Sequence, residues 1–190
     1  EYFHEDGQSS KKALMKTPIE GARLSSNYGR RKHPVLGYTR MHKGVDFSAP
    51  TGTPIMAAGD GVVERSSWFG SFGNYVRLRH NGSYKTIYAH MSKYGRGTKK
   101  GARVRQGQII GYVGATGRVT GRHLHYEVYK DGTQVNPMNL KMPSGIKLAG
   151  APFESFKVAM TTTNTQIDET KSHILLTKAI TEQAPSISAE

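Results

Sequence analysis

Short apolar runs separated by turn residues dominate the chain from residue 20 to residue 140. Residues 75–80 alternate apolar and polar side chains with a period of two, which is typical of a half-buried strand. Asn81-Gly82 follows as a strong hairpin signal, and residues 83–89 have the composition of the returning strand. Almost nothing in this region has the spacing of a long helix. The pattern therefore predicts an antiparallel sheet.

Further strands are expected on both sides of this hairpin. Residues 55–58 and 109–113 form short apolar runs, and residues 123–129 form the last strand, which ends before a turn at Asp131-Gly132. Glycine-rich and proline-rich turns at close spacing separate these runs. The predicted fold class is all-β, a compact antiparallel sheet domain.

The composition divides the chain into three parts. Residues 1–20 are polar and mixed in charge, and we expect an extended lead-in. Residues 21–144 carry the strand pattern and form the predicted domain. From residue 145 the sequence becomes rich in Thr, Ser and Gln with one apolar patch, so residues 145–190 are expected to form an appendage with one or two helices or a partly disordered tail.

The net charge indicates a class of binding partner, and the hydropathy shows whether a membrane-spanning segment is expected. The net charge of +13 and the pI near 10 indicate a polyanion, which leaves nucleic acid, a carboxylate-rich cell wall and an anionic membrane surface open. No run of about 18 apolar residues exists, so no transmembrane segment is predicted. The sequence begins at Glu1 instead of Met, so we expect a fragment or a processed form, and the lack of a visible signal says little about export.

The absence of cysteine restricts any zinc site to histidine and carboxylate ligands. His42 and Asp46 are four residues apart, but Gly44 and Val45 between them argue against a helix. In a straight strand the two would lie roughly 13 Å apart, which is too far for ligands each about 2 Å from one ion. We therefore expect the chain to bend at Gly44, a residue that tolerates a bend.

His123 and His125 lie two residues apart in the last predicted strand and so share one face. One ring can bind a metal while the other reaches a water molecule or substrate, although two imidazoles on a solvated sheet face are an equally valid interpretation. His90 follows the strand at 83–89. Two histidines and one aspartate leave a coordination position open, as in a catalytic zinc site, and they also describe the iron triad of non-haem oxygenases.

These histidines and the aspartate, in this order, resemble the lysostaphin-like family of zinc metallopeptidases, which are peptidoglycan endopeptidases. The resemblance runs from about Ser25 to Pro137. Its motifs are Tyr28-Gly29, Arg31, His33-Pro34, residues 42–47, Gly52-Thr53-Pro54, residues 59–63, Tyr88-Ala89-His90, residues 107–111 and residues 123–127. One departure is Arg122, which stands where relatives commonly carry proline before the final His-x-His.

The resemblance implies that His42, Asp46 and His125 bind one zinc ion per chain. It also implies that His90 and His123 are the catalytic pair, which holds the attacking water and stabilises the oxyanion, and that a groove crosses the sheet. Zinc would bring the pKa of a bound water to about 7, and imidazoles can take up and return its proton. Which of the two histidines is the base stays open; Glu127 is a candidate acceptor for a ligand N–H.

The implied function is hydrolysis of peptide cross-links in bacterial peptidoglycan. Basic residues near the site and the similarity to Gram-negative envelope members favour a D-alanyl–diaminopimelate bridge over an oligoglycine one. The expected location is the periplasm or cell envelope. Nucleic acid is not expected as a partner, because it leaves the histidines unexplained, and a regulatory protein partner is left open. The alternative is a catalytically inactive wall-binding or amidase-activating module, which the full set of five site residues argues against.

Several other residues receive simpler interpretations. His33 is expected to be structural or to line the groove, while His4, His80 and His173 are expected to be solvated. Trp68, Phe69 and Phe72 are predicted to line the groove wall. Five basic residues are expected to attract acidic substrate: Arg30, Arg31, Lys32, Arg40 and Lys43.

Overall fold

The computed structural model describes residues 3–9, 13–32, 39–141, 145 and 147–182. The chain divides into two compact units, one formed by residues 12–143 and the other by residues 1–11 with 144–190. Within the described residues, the first unit carries all the strands and the second carries the one α-helix. His33 lies outside the described residues.

The strands of the first unit, in chain order, are β1 (Arg23–Ser26), β2 (Gly29–Lys32), β3 (Thr39–His42), β4 (Val45–Ser48), β5 (Pro54–Met56), β6 (Gly61–Trp68), β7 (Asn74–Arg79), β8 (Tyr84–Tyr94), β9 (Arg103–Val104), β10 (Ile109–Val113), β11 (Leu124–Lys130) and β12 (Thr133–Val135). A short 3-10 turn, Gly70–Phe72, lies between β6 and β7.

Most of these strands belong to one sheet with the order β1-β4-β11-β8-β7-β6-β9. Strand β10 pairs with β5 and β8, β12 pairs with β11, and β2 and β3 form a separate two-stranded ribbon. Every pairing among the described strands is antiparallel. The prediction of an all-β antiparallel domain is confirmed.

The predicted hairpin is present as β7 and β8. The side-chain Oδ1 of Asn81 accepts hydrogen bonds at 2.8 Å from the backbone N–H groups of both Ser83 and Tyr84, which closes the turn. Strand β10 has its predicted bounds, and β11 is displaced by one residue. Strand β8 continues to Tyr94, so His90 lies inside a strand instead of at its end.

The larger hydrophobic core covers one face of the sheet. Leu124, Tyr126 and Val128 of β11 point into it, and the alternation sends His125 and Glu127 to the opposite face. Leu14 and Ile19, from the segment expected to be a lead-in, are also buried in this core. Burial of each such side chain stabilises the folded state by about 1.5–3 kcal/mol. Hydrophobic burial therefore determines which face of the sheet packs against the core.

A smaller cluster occupies the opposite face, beside the histidines. Tyr75, Ile87 and Ala89 are buried there, with Phe72 and Tyr129 packed against them. The pleat of β7, β8 and β11 brings these side chains to the same face as His125. The polar site is therefore built on a sheet face that apolar side chains already support.

The second unit contains α1 (Ala151–Glu182). The sequence allows one or two helices or a partly disordered tail here, and the described part of this segment contains a single helix of 32 residues. Four threonines donate side-chain hydrogen bonds to carbonyls four residues earlier, which satisfies their hydroxyls within the helix: Thr161, Thr162, Thr165 and Thr170. Among the described residues, no helix combines the length and the apolar character that crossing a membrane requires.

Candidate metal centre

The three predicted ligands come together where β3 approaches the paired strands β4 and β11. Asp46 and His125 are directly opposite each other on paired strands, and His42 is the last residue of β3. His42 Nε2 lies 3.1 Å from Asp46 Oδ1 and 3.1 Å from His125 Nδ1, and His125 Nδ1 lies 2.8 Å from Asp46 Oδ1. These three side chains are only 8–9% exposed, so they form a buried His–Asp–His set.

The opposite nitrogen of each ring shows which atom carries the proton. His42 Nδ1 lies 2.8 Å from the carbonyl oxygen of Asn27, and His125 Nε2 lies 2.9 Å from Glu127 Oε1. Carbonyl and carboxylate oxygens only accept, so both of these nitrogens donate an N–H. In neutral rings this leaves lone pairs on His42 Nε2 and His125 Nδ1, the two atoms that face Asp46 Oδ1.

Three acceptor atoms therefore face one another in the neutral site. Because their lone pairs repel, a cation or a proton must lie between them. Tetrahedral zinc with ligands at about 2.0–2.1 Å would place its ligand atoms about 3.3 Å from one another, close to the separations found here. Histidine nitrogen and carboxylate oxygen are also zinc's ligand types. The donor set fits a zinc ion with one coordination position left open.

Electrostatics shows how strongly the site attracts positive charge. Burial alone would raise the pKa of Asp46, but the adjacent His125 and His42 side chains hold that pKa well below its ordinary value. Burial alone would lower the pKa of His125, but Asp46 and Glu127 raise it to about 9. Without a metal, a proton on His125 takes the place of the cation, so metal binding here would release that proton.

Further contacts hold the ligands in orientation. Glu127 is buried, and its second oxygen accepts a hydrogen bond from Gln134 Nε2 at 2.7 Å. Arg31 Nη2 donates to Asp46 Oδ2 at 3.1 Å. The sequence identified Arg31 only as a motif residue and one of five nearby basic residues, and nothing in the pattern indicated its contact with Asp46. The side chains of Lys32 and Arg40 lie outside the described residues.

The chain bends at Gly44, as expected, but for a different reason. The φ angle of Gly44 lies outside the left-handed region, so conformational freedom is not what this position requires. A Cβ here would lie 2.6 Å from the carbonyl oxygen of Tyr126 and 2.8 Å from His125 Cε1. Gly44 is therefore needed because the segment between His42 and Asp46 passes directly against β11.

A β-bulge in β8 sets the position of His90. The register moves from Val76 opposite Tyr88 to Asn74 opposite Met91, so β8 contains one extra residue there. Tyr88 and Met91 both pack into the larger core, which leaves Ala89 and His90 on the opposite face. His90 has a φ of 63°, a left-handed conformation that costs a non-glycine residue about 1–2 kcal/mol. Such strain is typical of functional positions.

His90 and His123 lie next to each other at the open side of the His–Asp–His set. Their ring centroids are 4.8 Å apart, and His123 Nε2 is 3.8 Å from Asp46 Oδ1. Each Nδ1 donates to a backbone carbonyl, that of Thr116 for His90 at 2.8 Å and that of Gly121 for His123 at 2.9 Å. Both Nε2 atoms therefore keep a lone pair in the neutral ring.

Both of these histidines are neutral at pH 7. Burial lowers the pKa of His90 to about 4, with the neighbouring His125 and His123 adding to the effect. Burial also lowers the pKa of His123, although Asp46 acts in the opposite direction. A neutral imidazole with a free lone pair can accept a proton from water.

Two close-packed loops hold Thr116 against His90. A Cβ on Gly73 would lie 2.4 Å from the backbone of Thr116, and one on Gly117 would lie 2.4 Å from the carbonyl oxygen of Ser71. The Thr116 hydroxyl accepts from the Asn74 N–H and donates to the Met91 carbonyl. The glycine-rich loop after β10 is thus a turn that positions His90.

The aromatic residues at the end of β6 and in the turn before β7 divide into two groups. The Phe72 ring lies 5.6 Å from that of His125 and 6.5 Å from that of His90, so it forms an apolar wall of the site. Phe69 packs on Phe72 and Tyr75. Trp68 alternates with Ser67 and pairs with Asn74, so the pleat directs it to the other face of β6. Of the three aromatic residues predicted to line a groove, Phe72 lies beside the histidines, Phe69 packs against Phe72, and Trp68 lies on the other face of β6.

His80 does not belong to the site, and the prediction that it is solvated was wrong. Its Nδ1 lies 2.8 Å from the Asp60 carbonyl, and its Nε2 lies 2.7 Å from the Thr86 hydroxyl. Thr86 in turn lies 2.9 Å from the buried Tyr88 hydroxyl, which accepts from the Ala58 N–H. His80 is therefore part of a hydrogen-bond chain into the core. His4 and His173 are exposed.

An antiparallel sheet that carries a buried His–Asp–His set, with two more imidazoles at its open side, has the arrangement of a zinc hydrolase. The chain belongs to peptidase family M23, whose family model matches residues 40–137. This confirms the resemblance to lysostaphin-like zinc metallopeptidases.

Known proteins show the same relationship. The peptidoglycan DD-endopeptidase ShyC of Vibrio cholerae is 48% identical over 156 residues, which cover 82% of this chain and 36% of that protein. The chain thus spans about a third of that relative's length. A solved zinc-containing peptidase from Vibrio cholerae is 38% identical with a TM-score of 0.64, over 75% of this chain and 46% of that one. The catalytic domain of lysostaphin from Staphylococcus simulans is 35% identical with a TM-score of 0.56, over 62% of this chain and 90% of that domain.

Proposed function

We propose that this protein is a zinc-dependent endopeptidase that hydrolyses peptide cross-links of bacterial peptidoglycan. The observation that carries the proposal is the convergence of His42 Nε2, Asp46 Oδ1 and His125 Nδ1, three atoms within about 3 Å of one another that are all acceptors when the two rings are neutral. Membership of peptidase family M23 and similarity to a protein named as a peptidoglycan DD-endopeptidase support the choice of reaction.

In this proposal His42, Asp46 and His125 hold the zinc ion. When bound, zinc supplies a Lewis acid that polarises the scissile carbonyl and lowers the pKa of a water to about 7. Asn27 and Glu127 fix the orientation of the two ligand rings through their hydrogen bonds. Arg31 holds the second oxygen of Asp46, so that Oδ1 faces the histidines.

His90 and His123 supply the proton transfers. Both present an Nε2 lone pair, so the pair first acts as a base toward the attacking water. His123 is the better base of the two, because its protonated ring would lie 3.8 Å from Asp46 Oδ1. The proton then passes from the charged imidazole to the leaving amine, or that imidazole stabilises the oxyanion while it keeps the proton.

The finer parts of the proposal concern the substrate and the location. We infer that the bond is a D-alanyl–diaminopimelate cross-link, because the net charge of +13 suits a carboxylate-bearing wall peptide better than an uncharged oligoglycine bridge. Location in the periplasm or cell envelope follows from that substrate. An inactive wall-binding module is not favoured, because such a module has no use for all five site residues in catalytic geometry.

Digestion of purified peptidoglycan tests the proposal. The zinc-loaded protein is incubated with wall material that contains diaminopimelate bridges or oligoglycine bridges, and the products are identified by mass spectrometry. We expect cross-linked dimers of the first material to become monomers with a new free amine, and His123→Ala protein with zinc bound to give no product. Binding to both walls without any product would contradict the proposed activity and would favour the inactive module.

A further inference from the structure

The sheet face that carries the histidines continues into a cluster of basic residues, which we call the basic cluster: Arg77, Arg79 and Lys85, with Glu64 among them. Arg77 is opposite Ile87, which is itself opposite Glu127. Arg79 is opposite Lys85, which is opposite Tyr129. Because cross-strand partners lie on the same face of a sheet, the basic cluster shares a face with His125.

Sheet geometry gives the distance between the cluster and the metal centre. Arg77 lies two strands from β11 and two residues along from the level of His125, and Arg79 lies two residues further. With about 4.8 Å between strands and 3.3 Å per residue, the basic cluster begins about 12 Å from His125 and ends about 16 Å from it. An extended peptide covers that distance with roughly three to five residues.

The charges of the cluster are not balanced. Glu64 lies 2.9 Å from Arg77 Nε, 3.1 Å from Lys85 Nζ and 3.6 Å from Arg79 Nε. Three cations therefore share one carboxylate, which leaves two positive charges in excess. A bulge between Val63 and Arg65 turns Glu64 toward this face.

The basic cluster combines a buried ion pair with cations that solvent can reach. Glu64 Oε2 and Arg77 Nε are both buried and lie 2.9 Å apart, so they form an ion pair. The side chains of Arg77, Arg79 and Lys85 are 42%, 50% and 43% exposed, so a ligand from solvent can reach them.

We propose that the basic cluster binds a free carboxylate of the wall peptide, three to five residues from the bond that is cleaved. A carboxylate matches both the excess charge and the forked donors of arginine, which bind carboxylates in pairs of hydrogen bonds. Diaminopimelate-containing peptides carry such carboxylates, and an oligoglycine bridge does not. This inference rests on the proposed function and adds a second contact for the same substrate.

Binding is measured by calorimetry with zinc-loaded His123→Ala protein, so that the peptide is not consumed. Two cross-linked diaminopimelate peptides are compared, one with free distal carboxylates and one in which they are amidated. The free acid is expected to bind roughly three- to tenfold more tightly, since exposed charge contacts are modest. The preference is expected to weaken at high salt.

A double substitution and a matched control locate the effect. Arg79→Gln with Lys85→Gln is expected to remove the preference for the free acid. Lys99→Gln with Lys100→Gln removes the same charge from an exposed turn after β8 and is expected to keep it. An equal loss in both double variants would overturn the proposal, because it would reduce the effect to net charge.

Glu64→Gln tests whether the basic cluster attracts the peptide carboxylate through its positive charge. Removal of the internal carboxylate frees the three cations, so the free acid should bind more tightly, while the amidated peptide should be unaffected. Weaker binding of the free acid by a folded Glu64→Gln variant would contradict the proposal. If the wild-type protein digests peptidoglycan and the binding assay shows no preference for the free acid over the amidated peptide, this inference alone is overturned. If zinc-loaded protein digests no peptidoglycan, the proposed function is overturned.

Discussion

His42 Nε2 and His125 Nδ1 lie 3.1 Å apart, and the hydrogen bonds on the far side of each ring leave both atoms without a proton in the neutral form. Two lone pairs at that distance repel each other unless a positive charge lies between them. Asn27 and Glu127 fix the two rings, so the fold itself holds this unfavourable arrangement in place. The protein is thus organised for a cation before one arrives.

Glu127 should control the affinity for zinc through its contact with His125. In Glu127→Gln the His125 Nε2–H keeps an acceptor but loses a negative charge, and we expect about 10–100-fold weaker zinc binding. Titration against a competing chelator measures this. Glu64→Gln is the matched control, because Glu64 is another partly buried sheet carboxylate that makes none of its ion pairs with the metal centre. Equal zinc affinity in Glu127→Gln and the wild type would remove Glu127 from this role.

His90 should matter for turnover and not for metal binding. His90→Ala is expected to keep one zinc per chain and to lose about 10²–10⁴-fold in turnover, the usual contribution of a proton-transfer group. Metal content and the rate of peptidoglycan digestion are measured on the same preparation. Undiminished turnover would show that His90 is not part of the catalytic pair.

The left-handed backbone of His90 gives a separate prediction about stability. At a φ of 63° glycine is unstrained and alanine is not. His90→Gly should therefore be more stable than His90→Ala by about 1 kcal/mol, although both are equally inactive. Urea unfolding of the two variants provides the comparison, and the opposite order would mean that this backbone conformation carries no strain.

Gly44 should be required for the close approach of the β3–β4 connection to β11. In Gly44→Ala the new Cβ would meet the Tyr126 carbonyl at 2.6 Å, so the connection must shift and move His42 away from His125. We expect a loss of about 1–3 kcal/mol in the free energy of unfolding together with weaker zinc binding. Gly82→Ala, in a turn with no atom within 4 Å of the new Cβ, is the control and should change stability by less than about 0.5 kcal/mol.

His80 should make folding stability depend on pH. Burial lowers its pKa from the ordinary value of 6.5, so between the two values the unfolded chain binds more protons than the folded one. The stabilisation is complete above about pH 6.5 and is lost as the pH falls through the folded-state pKa, with a slope of at most about 1.4 kcal/mol per pH unit.

The difference between wild-type and His80→Gln protein isolates this contribution. Urea unfolding in the absence of zinc between pH 5 and pH 7.5 should show a steeper decline for the wild type, while the exposed His4→Gln should follow the wild type. Parallel curves for wild-type and His80→Gln protein would mean that His80 does not resist protonation in the folded state.

The sequence predicted those parts of the molecule that depend on side-chain pattern. The β7–β8 hairpin, the bounds of β10 and the shared face of His123 and His125 all follow from alternation and turn residues. The bend between His42 and Asp46 was predicted because two ligands of one zinc ion must lie much closer together than these residues would in a straight strand. The family motifs then supplied the assignment of His90, whose position alone carried no signal.

The remaining features depend on backbone and tertiary contacts that no residue pattern encodes. The carbonyls of Asn27, Thr116 and Gly121 hold three of the histidines, and any residue type could supply them. The bulge that turns His90 onto the site face is visible only in the register with β7. His80 was misassigned because its partner, Thr86, comes from the following strand.

The most direct test of the account is the zinc content of the folded protein and of one ligand variant. After dialysis against zinc and removal of the excess, wild-type protein should contain one zinc per chain by elemental analysis. His125→Ala, with folding verified by circular dichroism, should contain almost none. A folded wild type without zinc, or a His125→Ala protein that still holds one zinc per chain, would contradict the claim that His42, Asp46 and His125 form the metal centre.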